Sequence, residues 1–211
     1  MAGNRYIELA GSDAPPETWS RPFELHRSGQ VIGEGAVTFI FEEESIAQSR
    51  GANILGTLLG AGSSCVVDRQ GRPSIRRAMV NSIRSALNDA GLSPQDVGHI
   101  NAHGLGTKQG DIDEAAAIHE VFGSVAETVP VTALKSVLGN SGAGCGTLEL
   151  AASLLGLKHG VVPATLNYDE PDPECRLNVV HGQPAAISNK VVLNINVASV
   201  GQASALVVCG A

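Results

Sequence analysis

Residues 97–107 read VGHINAHGLGT, and this stretch decides the fold class of the chain. Its first part, 97–104, is interpreted as a short strand, and it leads into a glycine-rich turn. A helix is predicted soon after the turn, over about 111–122. Junctions of this kind place polar side chains at the C-terminal edge of a sheet, where α/β proteins gather ligands.

The same alternation of strands and helices continues on both sides of this stretch. The clearest helix begins at Ser74, carries apolar residues at helical spacing from Ile75 to Leu87, and ends at Gly91. The other predicted elements are strands over 35–42, 52–62, 129–136, 191–200 and 205–210, and helices over 43–51 and about 143–158. The pattern predicts one α/β domain, with a mixed sheet and helices packed on it.

Composition excludes several classes of function. The chain has 211 residues and a formal net charge of −7, which argues against a nucleic-acid surface or an anionic membrane face. No run approaches the ~20 apolar residues of a membrane helix, and the N-terminus has no apolar signal segment, so we expect a cytoplasmic protein. The four cysteines lack CxxC spacing, so we expect neither a metal site nor a disulfide scaffold.

One group of basic residues stands apart from this acidic balance. Arg72, Arg76, Arg77 and Arg84 lie just before and within the helix that begins at Ser74. They form either a solvated helix face or a docking patch for an acidic carrier protein, and the sequence leaves both open.

His103 is the candidate for chemistry in the first junction. An imidazole at the end of a strand can act as a general acid or base, or donate a hydrogen bond to a developing oxyanion. The alternative is a partly buried histidine that the backbone satisfies.

The second junction, 134–144, contains Lys135 and Asn140. A lysine within an apolar stretch needs a carboxylate partner, because burial of an unpaired ammonium is costly, and Glu114 could supply it. The amide of Asn140 could donate a hydrogen bond to a carbonyl or enolate oxygen. The alternative is a glycine turn that lets the next helix pack close to the sheet.

The third junction, 198–204, indicates only a tight turn between the closing strands. None of the cysteines has the surroundings of an activated nucleophile, and Cys145, between two glycines, is interpreted as a small packing residue.

Three segments together resemble one family. Residues 21–36, RPFELHRSGQVIGEGA, resemble the stretch that opens the C-terminal half of β-ketoacyl-acyl-carrier-protein synthases of the thiolase superfamily, of the elongating, type II-like kind. Residues 101–104 are similar to the NAHG motif of that family, and 135–140 to its KSxxGH motif. The resemblance covers about 22–209.

The resemblance implies a fold and a domain division. Residues 22–211 would be the β-ketoacyl synthase C-terminal domain, which is half of a layered α-β-α-β-α, thiolase-like fold. Residues 1–21 would be a lead-in or a remnant of the preceding half. The nucleophilic cysteine of the family belongs to the N-terminal half, so we expect this chain alone to be inactive.

The resemblance also implies an activity and partners. The activity is an acyl transfer, the decarboxylative Claisen condensation of malonyl-carrier protein with an acyl thioester in fatty acid or polyketide synthesis. The partners are the acyl carrier protein, the N-terminal half of the same protein and, at full length, a second copy in a homodimer. No cofactor is implied beyond the phosphopantetheine arm that carries the substrate.

The family roles carry over to individual positions. His103 matches an oxyanion donor, Lys135 and Glu114 match a buried ion pair that orders the site, and Thr107 matches a hydroxyl that meets the pantetheine arm. Asn140 stands where the family has a second histidine, and it can donate a hydrogen bond but cannot carry a proton.

Two further departures concern the substrate path. Leu105 replaces a threonine, and residues 198–202 replace a glycine turn that carries a gating phenylalanine in elongating enzymes. Two functions therefore stay open: the catalytic half of a condensing enzyme, or a non-catalytic subunit similar to a chain-length factor. A thiolase-type acyltransferase fits less well, because Cys209 lies past the turn that would carry its second cysteine.

Overall fold

The computed structural model describes residues 8–211; the first seven residues of the predicted lead-in lie outside this range. Helices pack on a mixed sheet of six strands. The helices are α1 (Glu44–Ser49), α2 (Ile75–Ala90), α3 (Lys108–Phe122), α4 (Lys135–Leu138) and α5 (Cys145–Lys158), with short 3₁₀ turns at Pro16–Thr18, Pro94–Asp96, Gly123–Glu127 and Gly142–Gly144.

The strands are β1 (Gly56–Cys65), β2 (His99–Asn101), β3 (Pro130–Thr132), β4 (Val161–Val162), β5 (Asn178–Val179), β6 (Ala185–Ala186), β7 (Val191–Ala198) and β8 (Gln202–Gly210). The strand order of the main sheet is β1-β8-β7-β2-β3-β5. The two pairs at the β1 end are antiparallel, and the three pairs from β7 to β5 are parallel. The remaining strands, β4 and β6, form a separate antiparallel pair.

Successive apolar side chains of β7 point to opposite faces of the sheet, and they divide the core into two layers. Leu193 and Ile195 are buried in the larger cluster, together with the apolar faces of α2 and α3. Val192, on the opposite face, packs in a smaller cluster with Leu150 and Leu154 of α5. Side chains of a strand point alternately to its two faces. The sheet therefore lies between α2 and α3 on one side and α5 on the other.

The ends of α2 follow the sequence prediction. Ser74 precedes the helix, and Gly91 closes it in the left-handed conformation with φ of 65°, which a residue without a Cβ adopts without strain. The prediction of this helix is confirmed, as are the predictions of a mixed sheet and of helices over 43–51, 111–122 and 143–158 to within a few residues.

The predicted strand over 35–42 is wrong for the described chain. Its backbone pairs with no strand of residues 8–211, and Ile40 and Phe41 are 85% and 69% exposed. The residues have the β-branched and aromatic character of a strand, but no neighbouring strand offers them a ladder. The strand predicted over 52–62 corresponds to β1, which begins four residues later, at Gly56.

Gly33 brings the opening motif against the second junction. The Gly33 N–H donates to the Asn140 carbonyl at 3.0 Å, and the Asn140 N–H donates to the Val31 carbonyl at 2.7 Å. A Cβ on Gly33 would lie 2.1 Å from the Leu138 carbonyl oxygen, so only glycine permits this approach. The backbone thereby fixes where the Asn140 side chain begins.

His99 is fully buried on β2, on the same face as Asn101 and opposite Ile100, and neither ring nitrogen has a hydrogen-bond partner among residues 8–211. Burial lowers the pKa of His99 to about 4.

The described helices include none long and apolar enough to cross a bilayer.

We expect His99→Leu to flatten the acid limb of the stability profile. In the unfolded chain a histidine binds a proton below about pH 6.5, whereas folded His99 does so only below about 4. The native protein therefore loses up to about 3 kcal/mol of stability at this site as the pH falls from 6.5 to 4. Urea unfolding of both proteins at several pH values measures the difference, with the exposed His159→Leu as control. Parallel pH profiles for wild type and His99→Leu would contradict the assignment.

Candidate active site

Glu114 anchors the turn that carries His103. The backbone N–H groups of His103 and Gly104 donate to its two carboxylate oxygens, at 2.7 and 2.8 Å. Burial raises the pKa of Glu114 to about 7, while the two N–H donors act in the opposite direction. Glu114 therefore shapes the backbone of the junction from α3 below it.

Lys135 holds His103 from the other side. Its ammonium donates to the His103 carbonyl at 2.7 Å, lies 3.2 Å from the ring Nδ1, and pairs with the carboxylate of Glu149. An ammonium has three N–H groups, and the His103 carbonyl, the ring Nδ1 and the Glu149 carboxylate each accept one of them. Nδ1 of His103 is therefore the acceptor nitrogen of the ring, and Nε2 carries the proton.

The predicted Lys135–Glu114 ion pair is wrong, because the partner of Lys135 is Glu149 of α5. Both side chains are almost fully buried, at 2% and 1% exposed. The Glu114 carboxylate is already occupied by backbone donors, and α5 brings Glu149 across the same rim. The signal that sequence reasoning missed is a lone acidic residue within an otherwise apolar helix.

Asn196 is a second residue that sequence reasoning missed. Its amide donates to the other oxygen of Glu149 at 3.0 Å, and its side chain lies close enough to the His103 ring to raise the pKa of that imidazole. It lies on β7, where Asn194 and Asn196 alternate with apolar residues and so share the face toward α5. Two amides on one face of a closing strand were the available signal.

His103 is neutral over the ordinary pH range. Burial, and then the charge of Lys135, lower the pKa of His103 well below 6.5, and the neighbouring Asn196 side chain only partly opposes this shift. A neutral ring with its proton on Nε2 acts as a hydrogen-bond donor. It does not act as a cation at neutral pH.

Asn140 lies at the turn between α4 and α5. Its side-chain amide donates to the Gln30 side-chain carbonyl, and its oxygen accepts from the Gly142 N–H at 3.0 Å and from the Cys145 thiol at 3.1 Å. Cys145 is buried, as its interpretation as a packing residue predicts, and it also holds the amide above it.

His103 and Asn140 line one cavity of about 510 Å³. Its wall also includes Gln30, Asn196 and Gln202, so amides contribute much of its polarity. No cysteine of residues 8–211 lines this cavity. The two donors that the sequence singled out thus meet at a shared space, although their roles stay predictions.

Thr107 is fully buried immediately before α3, and its hydroxyl has no hydrogen-bond partner among residues 8–211. It does not line the cavity, whereas Leu105 does. Its contact with a pantetheine arm stays a prediction. The third junction is the predicted tight turn, with Gly201 at φ of 91° between β7 and β8.

Most of the arginines that formed the candidate docking patch have acidic neighbours in this chain. Arg72 pairs with Asp68 at 2.6 Å, and Arg76 and Arg84 approach Glu120 at 2.9 and 3.6 Å. These exposed pairs favour the interpretation as a solvated helix face.

Comparison with known proteins identifies the family. The family model described as "Beta-ketoacyl synthase, C-terminal domain" matches residues 55–169, just over half of the chain. The chain belongs to the β-ketoacyl synthase family. The fold and the resemblance predicted from the sequence are confirmed.

The relatives of this β-ketoacyl synthase domain include polyketide enzymes. It is 44% identical over 172 residues to the tetracenomycin polyketide synthase ketoacyl synthase alpha subunit of Streptomyces glaucescens, which covers 81% of this chain and 40% of that protein. It is 39% identical over 193 residues to the actinorhodin polyketide putative beta-ketoacyl synthase 1 of Streptomyces coelicolor, covering 91% and 41%. The chain thus spans about two fifths of these relatives.

Solved structures place the β-ketoacyl synthase domain in the same family. A type II polyketide ketosynthase in complex with its acyl-carrier protein matches with a TM-score of 0.91 and 33% identity, over 97% of this chain and 50% of that one. The ishigamide ketosynthase/chain length factor matches with a TM-score of 0.87 and 35% identity, over 96% and 48%. The likeness extends through β7 and β8, beyond the residues that the family model covers.

Proposed function

We propose that this domain supplies the oxyanion-holding part of the active site of a polyketide β-ketoacyl synthase. The observation that carries the proposal is that a neutral His103, protonated on Nε2, shares a cavity with the amide of Asn140. The relatives named as polyketide ketoacyl synthases support the choice of polyketide over fatty acid synthesis.

The chemistry is a decarboxylative condensation. The bond from the malonyl α-carbon to its carboxylate breaks, carbon dioxide leaves, and the electron pair passes into an enolate on the thioester oxygen. The enolate carbon then attacks the carbonyl of the acyl thioester and expels its sulfur. Negative charge appears on oxygen in both steps, so fixed N–H donors that meet this oxygen lower the barrier, by about 3–4 kcal/mol for each donor.

Each residue of the site has a part in this scheme. His103 and Asn140 donate to the oxygen, while Lys135 and Glu149 hold the His103 ring in the required tautomer. Lys135 also places positive charge close to the site, which favours the enolate over the neutral thioester. Asn140 cannot accept a proton at its amide nitrogen, so the scheme assigns it no proton transfer.

The partners follow from the same scheme. We propose an acyl carrier protein whose phosphopantetheine arm delivers both thioesters, with Thr107 near that arm, and no further cofactor. The nucleophilic cysteine comes from an N-terminal half, and the whole protein acts in the cytoplasm as a pair of subunits, either two copies or one copy with a related partner. The solved relative that is a ketosynthase in complex with its acyl-carrier protein supports the first partner.

A second function competes with this one. Asn140 in the second donor position, and the exposed Val200 where elongating enzymes carry a gating phenylalanine, favour a subunit similar to a chain-length factor that shapes a cavity without condensing. One solved relative is itself a ketosynthase/chain length factor pair.

A reconstitution experiment separates the two functions. The full-length protein and the 211-residue chain are each incubated with malonyl-carrier protein and an acyl thioester, and carbon dioxide and β-ketoacyl product are measured. We expect both products from the full-length protein and neither from the chain alone. A full-length protein that forms no carbon–carbon bond, yet changes the product length of a partner ketosynthase, would establish the alternative.

A further inference from the structure

The side-chain amide of Asn140 is held at both ends. Its oxygen accepts from the Gly142 N–H at 3.0 Å and from the Cys145 thiol at 3.1 Å, and its nitrogen donates to the side-chain oxygen of Gln30. An amide oxygen has two lone pairs, and both are used here. The nitrogen has two N–H groups, of which Gln30 takes one.

The backbone decides which way the amide faces. The Gly142 N–H can only donate, so the oxygen of Asn140 must face it. The Cys145 sulfur already accepts from the Ser141 N–H at 3.1 Å, which leaves its own S–H free to donate to the same amide oxygen. The nitrogen of Asn140 is then on the side of Gln30 and of the cavity that both residues line.

Gln30 is in turn held in place by its own backbone. Its N–H donates to the Glu8 carbonyl at 2.8 Å, and its carbonyl accepts from the Ala10 N–H at 2.8 Å. The residue is only 7% exposed. Its side-chain oxygen is therefore a fixed acceptor beside Asn140, with no charge that would oppose a developing oxyanion.

We propose that Gln30 is a positioning residue that fixes the Asn140 amide, so that the second N–H of Asn140 is presented to the cavity as a neutral donor. This inference deepens the proposed function and rests on it for its chemical meaning, but the orientation itself is a property of the chain. Cys145 completes the arrangement from the opposite end. Without the acceptor at Gln30 the amide nitrogen loses its anchor, and the torsion about the Cβ–Cγ bond broadens.

The test reads the Asn140 amide directly in the purified 211-residue chain. Side-chain amide signals are followed by ¹⁵N–¹H NMR, with solvent exchange of the Asn140 protons as the measured quantity. In Gln30→Leu we expect exchange of the proton that Gln30 bound to be about 2–10-fold faster, the range that loss of one hydrogen bond predicts. Gln30→Glu retains an acceptor oxygen and should retain the slow exchange.

Two further variants guard against a trivial outcome. Gln48→Leu, on exposed α1, removes a glutamine whose side chain donates to Glu44, and it should leave the Asn140 signal unchanged. Cys145→Ser keeps a donor below the amide oxygen, so it should retain slow exchange even if Gln30→Leu does not fold. The inference is overturned if the Asn140 protons still exchange slowly in a folded Gln30→Leu variant. It is also overturned if they exchange as fast as those of an exposed asparagine in both the wild type and Cys145→Ser.

Activity is measured separately, in the full-length protein. If Asn140 donates in catalysis, Gln30→Leu should lower kcat for decarboxylation by about 2–10-fold with little change in KM, because the donor is needed most in the transition state. A changed Asn140 signal with an inactive wild-type protein supports the positioning role and rejects the proposed function. An unchanged signal rejects the positioning role, whatever the activity.

Discussion

Replacement of His103 by alanine in the full-length protein is expected to lower the rate of malonyl decarboxylation by about 10²–10³-fold. Loss of one preorganised donor to an oxyanion has this effect in comparable sites. The imidazole is buried, held by Lys135 and fixed in one tautomer. A water molecule that took its place in the variant would first have to be oriented toward the oxyanion. The loss should fall on kcat, because the interaction strengthens as charge develops on oxygen.

The measurement is release of carbon dioxide from malonyl-carrier protein as a function of pH. Because the pKa of His103 lies well below 6.5, protonation of this residue should not reduce the wild-type rate between pH 6 and 8. His103→Gln keeps an N–H donor and should recover part of the rate, while the exposed His159→Ala should match wild type. A rate for His103→Ala within twofold of wild type would remove this residue from the mechanism.

Replacement of Lys135 by methionine is expected to destabilise the 211-residue chain by about 3–5 kcal/mol. The substitution leaves the Glu149 carboxylate buried without its counter-ion, and the cost of an uncompensated buried charge exceeds the value of the pair itself. Burial already raises the pKa of Glu149 in spite of Lys135. In the variant we expect this pKa to rise further, so the loss of stability should be greatest at high pH.

Urea unfolding measures this effect, and a double variant tests its cause. Lys135→Met/Glu149→Leu removes both charges and should be more stable than Lys135→Met alone. Arg72→Met breaks an exposed pair with Asp68 and should cost far less than Lys135→Met, because solvent screens the pair. If the double variant is no more stable than Lys135→Met, the cause lies in packing, and the ion-pair argument is wrong.

The elements that sequence reasoning predicted best are those whose signals are local. Helix α2 is defined by apolar residues at helical spacing and by a glycine that closes it, and neither depends on the rest of the chain. The glycine-rich turns were also readable, because a residue without a Cβ marks a left-handed or crowded backbone. These two signals were enough to place His103 just after a strand and Asn140 in a glycine-rich turn. The strand predicted over 129–136 was too long, because β3 ends at Thr132 and Lys135 begins α4.

The parts that failed depend on what the chain meets in space. A strand needs a neighbour, so the β-prone run at 35–42 could not be assigned from its own residues. The choice of Glu149 over Glu114 as partner of Lys135 depends on how α5 crosses the sheet, which spacing along the chain does not determine. Asn196 and Gln30 were missed because each gains its importance only from the side chain beside it.

The exposed run at 35–42 also affects how the isolated chain behaves in solution. Ile40 and Phe41 lie open to water on a segment without charged residues before Glu42, and its backbone groups have no ladder partners among residues 8–211. Such a segment is a template for pairing between molecules, which leads to aggregation as concentration rises. Thr38→Lys would place a charged gatekeeper in the run without touching the cavity that holds His103 and Asn140.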